Sequence, residues 1–208
     1  MRLLASMLIL LIFSIFALAQ TKVESSDEFL GEFREGKYQN GFFGFTLSVP
    51  PEMYVFSDQE RAIYRKAGEE MFVKDLEKGR AAFEKAASQE ILIFSVAMDR
   101  PGVKGVSSLN IGAVKQPDGT TPDEICDDAA AFFVKNPNYT LTSKTRKLKR
   151  AGRDFGLVEF TFSSGEQRLA LRYYATMRRG YSITFVLTYL SKADLDSLEK
   201  FLDSLAFF

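Results

Sequence analysis

The sequence of 208 residues contains no histidine and no tryptophan. Histidine is the commonest general base and the commonest protein ligand for zinc, copper and non-haem iron, so most familiar catalytic and metal-binding arrangements are excluded. Cys126 is the only cysteine, so no intramolecular disulfide can form. The sequence also lacks a glycine-rich phosphate loop and a Gly-x-Ser-x-Gly nucleophile turn. It therefore indicates no reaction, and we expect no cofactor and no metal.

The N-terminus has the features of a cleavable export signal. Arg2 gives a short positive region, residues 3–18 are apolar apart from two serines, and Ala17-Leu18-Ala19 fits the small-x-small cleavage rule. The apolar stretch is shorter than the roughly 20 residues that span a bilayer, which argues against an uncleaved anchor. We expect a signal peptide over residues 1–19, a mature chain that begins at Gln20, and a location in the periplasm or outside the cell without a stable membrane anchor.

The charges of the chain are balanced, with 27 basic and 27 acidic residues. Removal of Arg2 with the signal leaves 26 basic against 27 acidic residues. This balance gives no broad electrostatic attraction to nucleic acid, which is not expected as a partner. The mature chain of about 190 residues suits one domain with a sizeable core.

The hydrophobic pattern divides the mature chain into an arm and one domain. Residues 20–37 are polar and charged, which predicts a linker or a loosely docked arm before a single domain over residues 38–208. Alternation or apolar runs predict strands over residues 43–49, 53–56, 91–98 and 107–114, and helical spacing predicts a helix over residues 58–87. The strand over residues 91–98 is the best candidate for the middle of a sheet.

Two further helices have well-marked starts. Thr121-Pro122-Asp123-Glu124 combines a cap hydroxyl, a proline at the first helical position and an acid at the third. The expected buried stripe of this helix contains Ile125, Ala129, Phe132 and Phe133, and Asn136-Pro137 stops it. Ser191 and Asp194 cap the last helix, whose apolar residues are Leu195, Leu198, Leu202 and Leu205.

Three strands of an antiparallel meander precede the last helix. Apolar residues occupy odd positions over residues 169–177 and again over residues 181–189. If both sets share one face, Met177 lies opposite Tyr181 and residues 178–180 form a three-residue loop. Val158, Phe160 and Phe162 alternate in the same way before a turn over residues 163–166. The whole order of elements predicts an α+β fold with helices over the faces of one sheet.

Three segments carry a family resemblance: Tyr38-x-Asn40-x-x-Phe43-Gly44-Phe45-x-Leu47-x-Val49-Pro50, Arg179-Gly180-Tyr181-Ser182-Ile183-Thr184-Phe185, and Leu202-x-Ser204-Leu205-x-Phe207. The chain from Tyr38 to Phe208 resembles the PsbP-like superfamily, which also includes a nuclear-import factor family. The resemblance implies a three-layer α/β/α sandwich with a mainly antiparallel central sheet, and a mostly non-catalytic accessory or binding role. The nuclear role does not fit an exported protein, and the ion-related sites of photosystem-associated members use histidine, which is absent here.

The densest basic run is the strongest candidate for an interaction surface. It contains Lys144, Arg146, Lys147, Lys149 and Arg150. As a surface it would bind anionic lipid or polysaccharide in a salt-sensitive way. The structural alternative is a charged strand at a sheet edge, where basic side chains prevent edge-to-edge pairing.

Other polar and aromatic clusters have simpler structural explanations. Asp123, Glu124, Asp127 and Asp128 lie in the first turns of a helix, where acids complement the helix dipole, and their spacing matches no calcium loop. Cys126 has no histidine to activate it and two acidic neighbours that raise its pKa, so we expect an inert thiol. The aromatics are expected to fill the core, with a groove lined by Tyr38, Phe42, Phe207 and Phe208 as the alternative.

These observations favour an exported, non-catalytic accessory or binding protein that acts through a surface or groove on another envelope or extracellular protein. The alternative is a carrier of a small apolar ligand such as a lipid, held between the sheet and one helix. A hydrolase that uses only carboxylates and hydroxyls is a third possibility, and no motif supports it.

Overall fold

The computed structural model of the protein describes residues 27–63, 65–66, 89–100, 107–164 and 167–208. The predicted export signal and its cleavage site lie outside these residues, as does most of the helix expected over residues 58–87. Only the start of that helix is described, where residues 58–63 are helical. None of the described helices is long and apolar enough to cross a membrane.

The described strands form two antiparallel sheets. The larger has eight strands, which are β4 (Tyr54–Val55), β5 (Ile91–Ala97), β6 (Ser108–Lys115), β7 (Tyr139–Leu141), β8 (Arg146–Arg150), β9 (Arg153–Ser164), β10 (Gln167–Arg178) and β11 (Tyr181–Tyr189). Their spatial order is β4-β5-β6-β11-β10-β9-β7, and β8 pairs with the other end of β9. The smaller sheet has the order β1 (Glu32–Arg34), β2 (Lys37–Asn40), β3 (Phe45–Ser48) and β12 (Ala206–Phe207). The strand predicted for mid-sheet, β5, is paired on both sides, although β6, β11 and β10 lie nearer the centre.

Helix α1 (Pro122–Phe133) covers one face of the larger sheet. Its predicted capping box is confirmed, because the Glu124 carboxylate accepts hydrogen bonds from the backbone N–H and the hydroxyl of Thr121, both at 2.8 Å. Gly156 permits close approach, since a Cβ there would lie 2.3 Å from the Pro122 carbonyl oxygen. The buried side chains of this face include Ile125, Ala129, Phe132, Phe133, Val158, Phe160, Phe162, Leu169, Leu171 and Tyr173.

Helix α2 (Lys192–Leu202) and the smaller sheet cover the opposite face. The Ser191 hydroxyl accepts a hydrogen bond from the Asp194 N–H at 3.1 Å, which confirms the predicted cap. The buried side chains here include Phe45, Leu47, Phe155, Leu157, Tyr174, Ile183, Phe185, Leu187, Leu195, Leu198, Phe201 and Leu202. The mainly antiparallel sheet with a helix on each face confirms the predicted α+β sandwich.

The pairing of β10 with β11 differs from the prediction by one residue. Arg178 lies opposite Tyr181, so the loop contains only Arg179 and Gly180, both with positive φ angles of 53° and 77°. The odd-numbered residues of β10 therefore face α1, whereas Ile183, Phe185 and Leu187 of β11 face α2. The prediction was wrong because β11 is buried on both faces and its polar residues Ser182, Thr184 and Thr188 lie on the buried side that faces α1, so polarity does not identify the face of this strand.

The pairing of β9 with β10 puts Phe160 opposite Leu171 and Phe162 opposite Leu169, so these apolar sets share a face as predicted. The two strands remain paired as far as Ser164 and Gln167, which makes the connection two residues shorter than expected.

The segment expected to be a linker or loosely docked arm is part of the fold from Asp27 onward. Residues 27–29 form a 3-10 turn, and β1 pairs with β2. The Tyr38 hydroxyl donates a hydrogen bond to the Leu30 carbonyl at 2.6 Å, and the Asn40 amide donates one to the Phe29 carbonyl at 2.7 Å. Two polar side chains from β2 thus hold the arm against the domain, a contact that the polar composition of residues 20–37 does not indicate.

Candidate functional site

The predicted basic run forms β8, a strand at the edge of the larger sheet, as the structural alternative predicts. Because successive side chains of a strand point to opposite faces, the basic residues of β8 are divided between the two faces of the sheet. The Lys147 ammonium lies 3.1 Å from the Asp123 carboxylate on the α1 side, and Lys149 lies 3.8 Å from Asp154. Lys144 is exposed in the loop before β8. The structure therefore does not bring the five basic residues together on one surface.

The two arginines of the run, Arg146 and Arg150, belong to a charge network on the α2 side. Glu199 of α2 lies at its centre and accepts hydrogen bonds from Arg150 at 2.5 Å and from Arg172 at 2.9 Å. The Tyr174 hydroxyl also donates to Glu199, at 2.5 Å. Arg172 and Arg146 then contact Glu159, at 2.6 and 3.3 Å. This network connects α2 to three strands, namely β8, β9 and β10.

Burial alone would raise the pKa of the Glu199 carboxyl. Hydrogen bonds from Tyr174, Arg150 and Arg172 outweigh that effect and hold the pKa below its usual range. The side chains of Arg150 and Glu199 are each only 17% exposed, so the centre of the network is structural, whereas Arg146 at its edge is 53% exposed.

The acidic cluster and the cysteine near the start of α1 have structural roles. Asp123 pairs with Lys147, and Glu124 closes the capping box. Cys126 is buried, and burial followed by the charge of Asp127 raises the pKa of its thiol. A buried thiol with a raised pKa is a poor nucleophile at neutral pH.

A cleft lies where the smaller sheet meets one edge of the larger sheet, and we call it the edge cleft. Its volume is about 620 Å³. The side chains and backbone that line it come from the arm, β1, β2, β4, β5 and the start of the helix after β4, and they include Leu30, Phe33, Tyr38, Tyr54, Phe56, Ser57, Asp58, Glu60, Arg61, Ile93 and Phe94. Such a volume is in the range of natural ligand and peptide sites.

The floor of the edge cleft is aromatic. Tyr38 and Phe94 are stacked with ring centroids 4.1 Å apart, and Phe33 lies 6.1 Å from Phe94. Tyr38 and Phe94 are buried, whereas the Phe33 side chain is 42% exposed. Phe33 therefore presents an apolar surface to solvent directly above a fixed aromatic pair.

Charged side chains form the rim of the edge cleft, and each has a local partner. Arg61 donates to the Phe56 carbonyl at 3.1 Å and pairs with Asp58 at 2.5 Å. Glu60 accepts hydrogen bonds from the Tyr54 hydroxyl and from the Ser57 hydroxyl. The bond from Tyr54 is the main reason that the pKa of Glu60 is lowered, and the same bond raises the pKa of Tyr54. These contacts fix the positions of the rim side chains.

Two strand edges flank the edge cleft. β1 is the terminal strand of the smaller sheet, and β4 is the terminal strand of the larger sheet. Within the described chain, each is paired on one side only. The outer N–H and C=O groups of a terminal strand can pair with another extended chain. The sequence analysis did not find this cleft, because β1 lies in the segment that was expected to be an arm. The signal in the sequence is the aromatic residue Phe33 within that polar segment.

The groove expected from Tyr38, Phe42, Phe207 and Phe208 is not formed by those residues together. Tyr38 lines the edge cleft, while Phe42 packs against Phe29 with a centroid distance of 4.5 Å. Phe207 packs against Phe45 and Phe155.

No family model and no curated protein matches the sequence. Two solved structures share the fold over most of both chains. One is the cyanobacterial PsbP (CyanoP) from Synechocystis sp. PCC 6803, with a TM-score of 0.50, 14% identity, and coverage of 83% of this chain and 91% of that chain. The other is LpqN, involved in cell envelope biogenesis of Mycobacterium tuberculosis, with a TM-score of 0.50, 10% identity, and coverage of 82% and 88%. The chain therefore has the PsbP-like fold that the sequence resemblance predicts.

Proposed function

We propose that the protein is an exported, non-catalytic accessory protein that holds an extended segment of another envelope or extracellular protein in the edge cleft. The observation that carries this proposal is the position of two open strand edges beside an aromatic floor. An extended peptide that joins an open edge gains main-chain hydrogen bonds, and pockets for its alternate side chains provide specificity. Phe33, which is exposed, and Leu30 and Tyr54, which are half-buried, would contact the apolar side chains of such a peptide, and the buried Tyr38–Phe94 pair would support Phe33 from below.

The chemistry of the chain supports a binding role rather than catalysis. The sequence contains no histidine, its single cysteine is buried, and Glu60 and Arg61 at the rim are held by local partners. The export signal of the sequence and the envelope role stated for LpqN support a location in the cell envelope. That support from LpqN is an analogy at the level of the fold.

Site-specific photo-crosslinking tests the proposal. A photoreactive amino acid replaces Phe33 in the exported protein, and the matched control places it at Leu141, which is 38% exposed in β7 at the far edge of the larger sheet. We expect one crosslinked protein from position 33 that is absent from position 141, and we expect its crosslinked peptide to be extended and apolar. The same products from both positions would contradict the proposal.

The same experiment separates the partner segment from the alternative ligand. A lipid crosslinked at position 33, without any protein, would instead favour a carrier of small apolar ligands. Both helix–sheet interfaces, where the sequence placed such a ligand, are lined by well-buried side chains such as Ala129 and Leu198. The edge cleft is therefore the better place to look for either ligand.

A further inference from the structure

Three arginines lie side by side at one end of the larger sheet, on the α2 side, and we call them the arginine row. Arg153 is the first residue of β9 and Arg178 the last residue of β10. In the pairing of these strands, Gly156 lies opposite Ala175. If this register is continued to the strand ends, Arg153 lies beside Arg178. Arg179 follows in the β10–β11 turn.

Two members of the arginine row rest on aromatic rings. Arg153 lies over the Phe207 ring, 4.9 Å from its centroid, and Arg179 lies over the Phe42 ring at 5.5 Å. Arg178, between them, donates hydrogen bonds to the main-chain oxygens of Phe43 at 3.0 Å and Phe208 at 2.8 Å. The rings hold Arg153 and Arg179 in place without neutralising them.

Within the described chain, no side-chain carboxylate forms an ion pair with any member of the arginine row. Glu28 and Glu32 line a cleft together with Arg179, but Glu32 pairs with Arg34. The Nε atom of Arg153 is buried and has no hydrogen-bond partner. Burial, and then repulsion by Arg153 and Arg179, lowers the pKa of Arg178. The row is therefore a local concentration of positive charge on a chain whose charges balance overall.

We infer that the arginine row binds the headgroups of anionic phospholipids at a membrane surface. The planar guanidinium fork matches the geometry of phosphate oxygens and can bind them through two hydrogen bonds. Phe208 lies beside Arg178 and its side chain is 62% exposed. An exposed aromatic beside basic side chains is the pattern of proteins that lie in the membrane interface, and this aromatic favours a lipid surface over an acidic protein as the partner.

This interaction goes beyond the proposed function, because it uses a surface that shares no residue with the edge cleft. A negative crosslinking result at position 33 would therefore not contradict membrane binding by the arginine row. A bound arginine row would place the protein reversibly at the membrane, since three charges and one aromatic side chain give a weak interaction.

The test compares vesicles of phosphatidylglycerol with vesicles of phosphatidylcholine at low ionic strength. It uses the processed protein that begins at Gln20, because the apolar leader would bind vesicles by itself. The variant Arg153→Gln/Arg179→Gln removes two charges of the row, and Arg178 stays intact because it ties Phe43 to Phe208. The matched control Lys144→Gln/Lys147→Gln removes the same charge in the cleft beside α1.

We expect the wild type to bind phosphatidylglycerol vesicles selectively and to be released by high salt. Each basic residue near an anionic surface changes the partition coefficient by about fivefold, so the arginine variant should bind roughly 30-fold more weakly. The lysine control should stay within about twofold of the wild type. Equal losses in both variants, or equal binding of both vesicle types, would overturn the inference. Binding of inorganic phosphate without vesicle binding would also overturn it, since it would indicate a site for a soluble anion.

Discussion

Arg150 and Arg153 lie directly opposite each other in the β8–β9 pair, and their surroundings differ sharply. Arg150 contacts Glu199 at 2.5 Å and Asp203 at 3.5 Å. Arg153 lies over the Phe207 ring and forms no ion pair with a side chain of the described residues. A similar contrast separates Arg172, which pairs with two glutamates, from Arg178, whose partners are the main-chain oxygens of Phe43 and Phe208.

The position of α2 explains this difference. Glu199 and Asp203 lie at and just after the C-terminal end of the helix, above β8 and β10. Beyond that point the chain continues as β12, whose Phe207 covers the end of β9 with an aromatic ring instead of a carboxylate. The arginines beneath the helix thus pair with carboxylates, whereas those beyond it contact aromatic rings and main-chain oxygens. Four predictions test this division, from the largest effect to the smallest.

Replacement of Glu199 by Gln should have the largest effect on stability. It leaves Arg150 and Arg172 without their shared carboxylate in a largely buried position. Loss of one partner from a buried ion pair costs about 3 kcal/mol, which urea unfolding measures as a lower free energy of unfolding. The control Asp196→Asn on the exposed side of the same helix, where Asp196 pairs with Lys192, should cost less than about 0.5 kcal/mol. Similar losses in both variants would remove the distinction between the network and the surface.

At acid pH the wild type should lose the stability that the network provides, and the Glu199→Gln variant should not show this loss. Because the pKa of Glu199 is lower in the folded protein than its ordinary value, this residue stabilises the fold above that value. The contribution is lost as the pH falls through the folded pKa. Urea unfolding between about pH 6 and about pH 3 should therefore show a shallower fall for the variant than for the wild type. The effect should be smaller than that of the substitution, because a protonated Glu199 still accepts hydrogen bonds. Parallel profiles would mean that Glu199 does not carry this pH dependence.

Replacement of Arg178 by Gln should have an intermediate effect. The substitution removes hydrogen bonds to the main-chain oxygens of Phe43 and Phe208, which join the end of β10 to the smaller sheet. We expect a loss of about 1 to 2 kcal/mol in the free energy of unfolding, measured with urea. Two-dimensional NMR should show the largest shifts near Gly44 and Phe208. A loss as large as that of Glu199→Gln would place Arg178 in the structural group.

Replacement of Arg179 by Gln should leave the stability within about 0.5 kcal/mol of the wild type, because Arg179 is exposed and its only described contact is the Phe42 ring. The melting temperature from circular dichroism measures this effect. A slight gain would follow from relief of the repulsion between Arg178 and Arg179. A loss above about 1 kcal/mol would show that the row is needed for folding and would weaken its assignment as a binding surface.

Elements whose signals are local in sequence were predicted well. The helix caps depend on contacts between residues three apart, so Thr121 with Glu124 and Ser191 with Asp194 could be recognised from the sequence. The shared face of β9 and β10 was also predictable, because a short turn connects the strands and β9 alternates clearly, although the observed pairing is shifted by two residues from the predicted turn. The register of β10 and β11 was not predictable, because β11 buries small polar residues as well as apolar ones, so its alternation does not show which face meets α1.

The candidate surface could not be predicted, for a related reason. A basic run is contiguous in sequence, but strand alternation turns Lys147 and Arg150 to opposite faces of the sheet. The arginine row shows the reverse, because its members are distant in the sequence and close in space. Arg153 and Arg178 are 25 positions apart and become neighbours only through strand pairing. The edge cleft depends on β1, whose docking requires hydrogen bonds from Tyr38 and Asn40.

The sequence by itself determined the class of fold, the starts of both described helices, the export prediction and the exclusion of histidine chemistry. Each of these depends on composition or on residues close together in the chain. Only the tertiary structure decided which arginines meet carboxylates, which strand edges stay open and which aromatic rings face solvent. Those outcomes depend on pairing between strands that are distant in the sequence and on where α2 ends. The physical reason is that the ion pairs and the exposure of a residue are set by its neighbours in space.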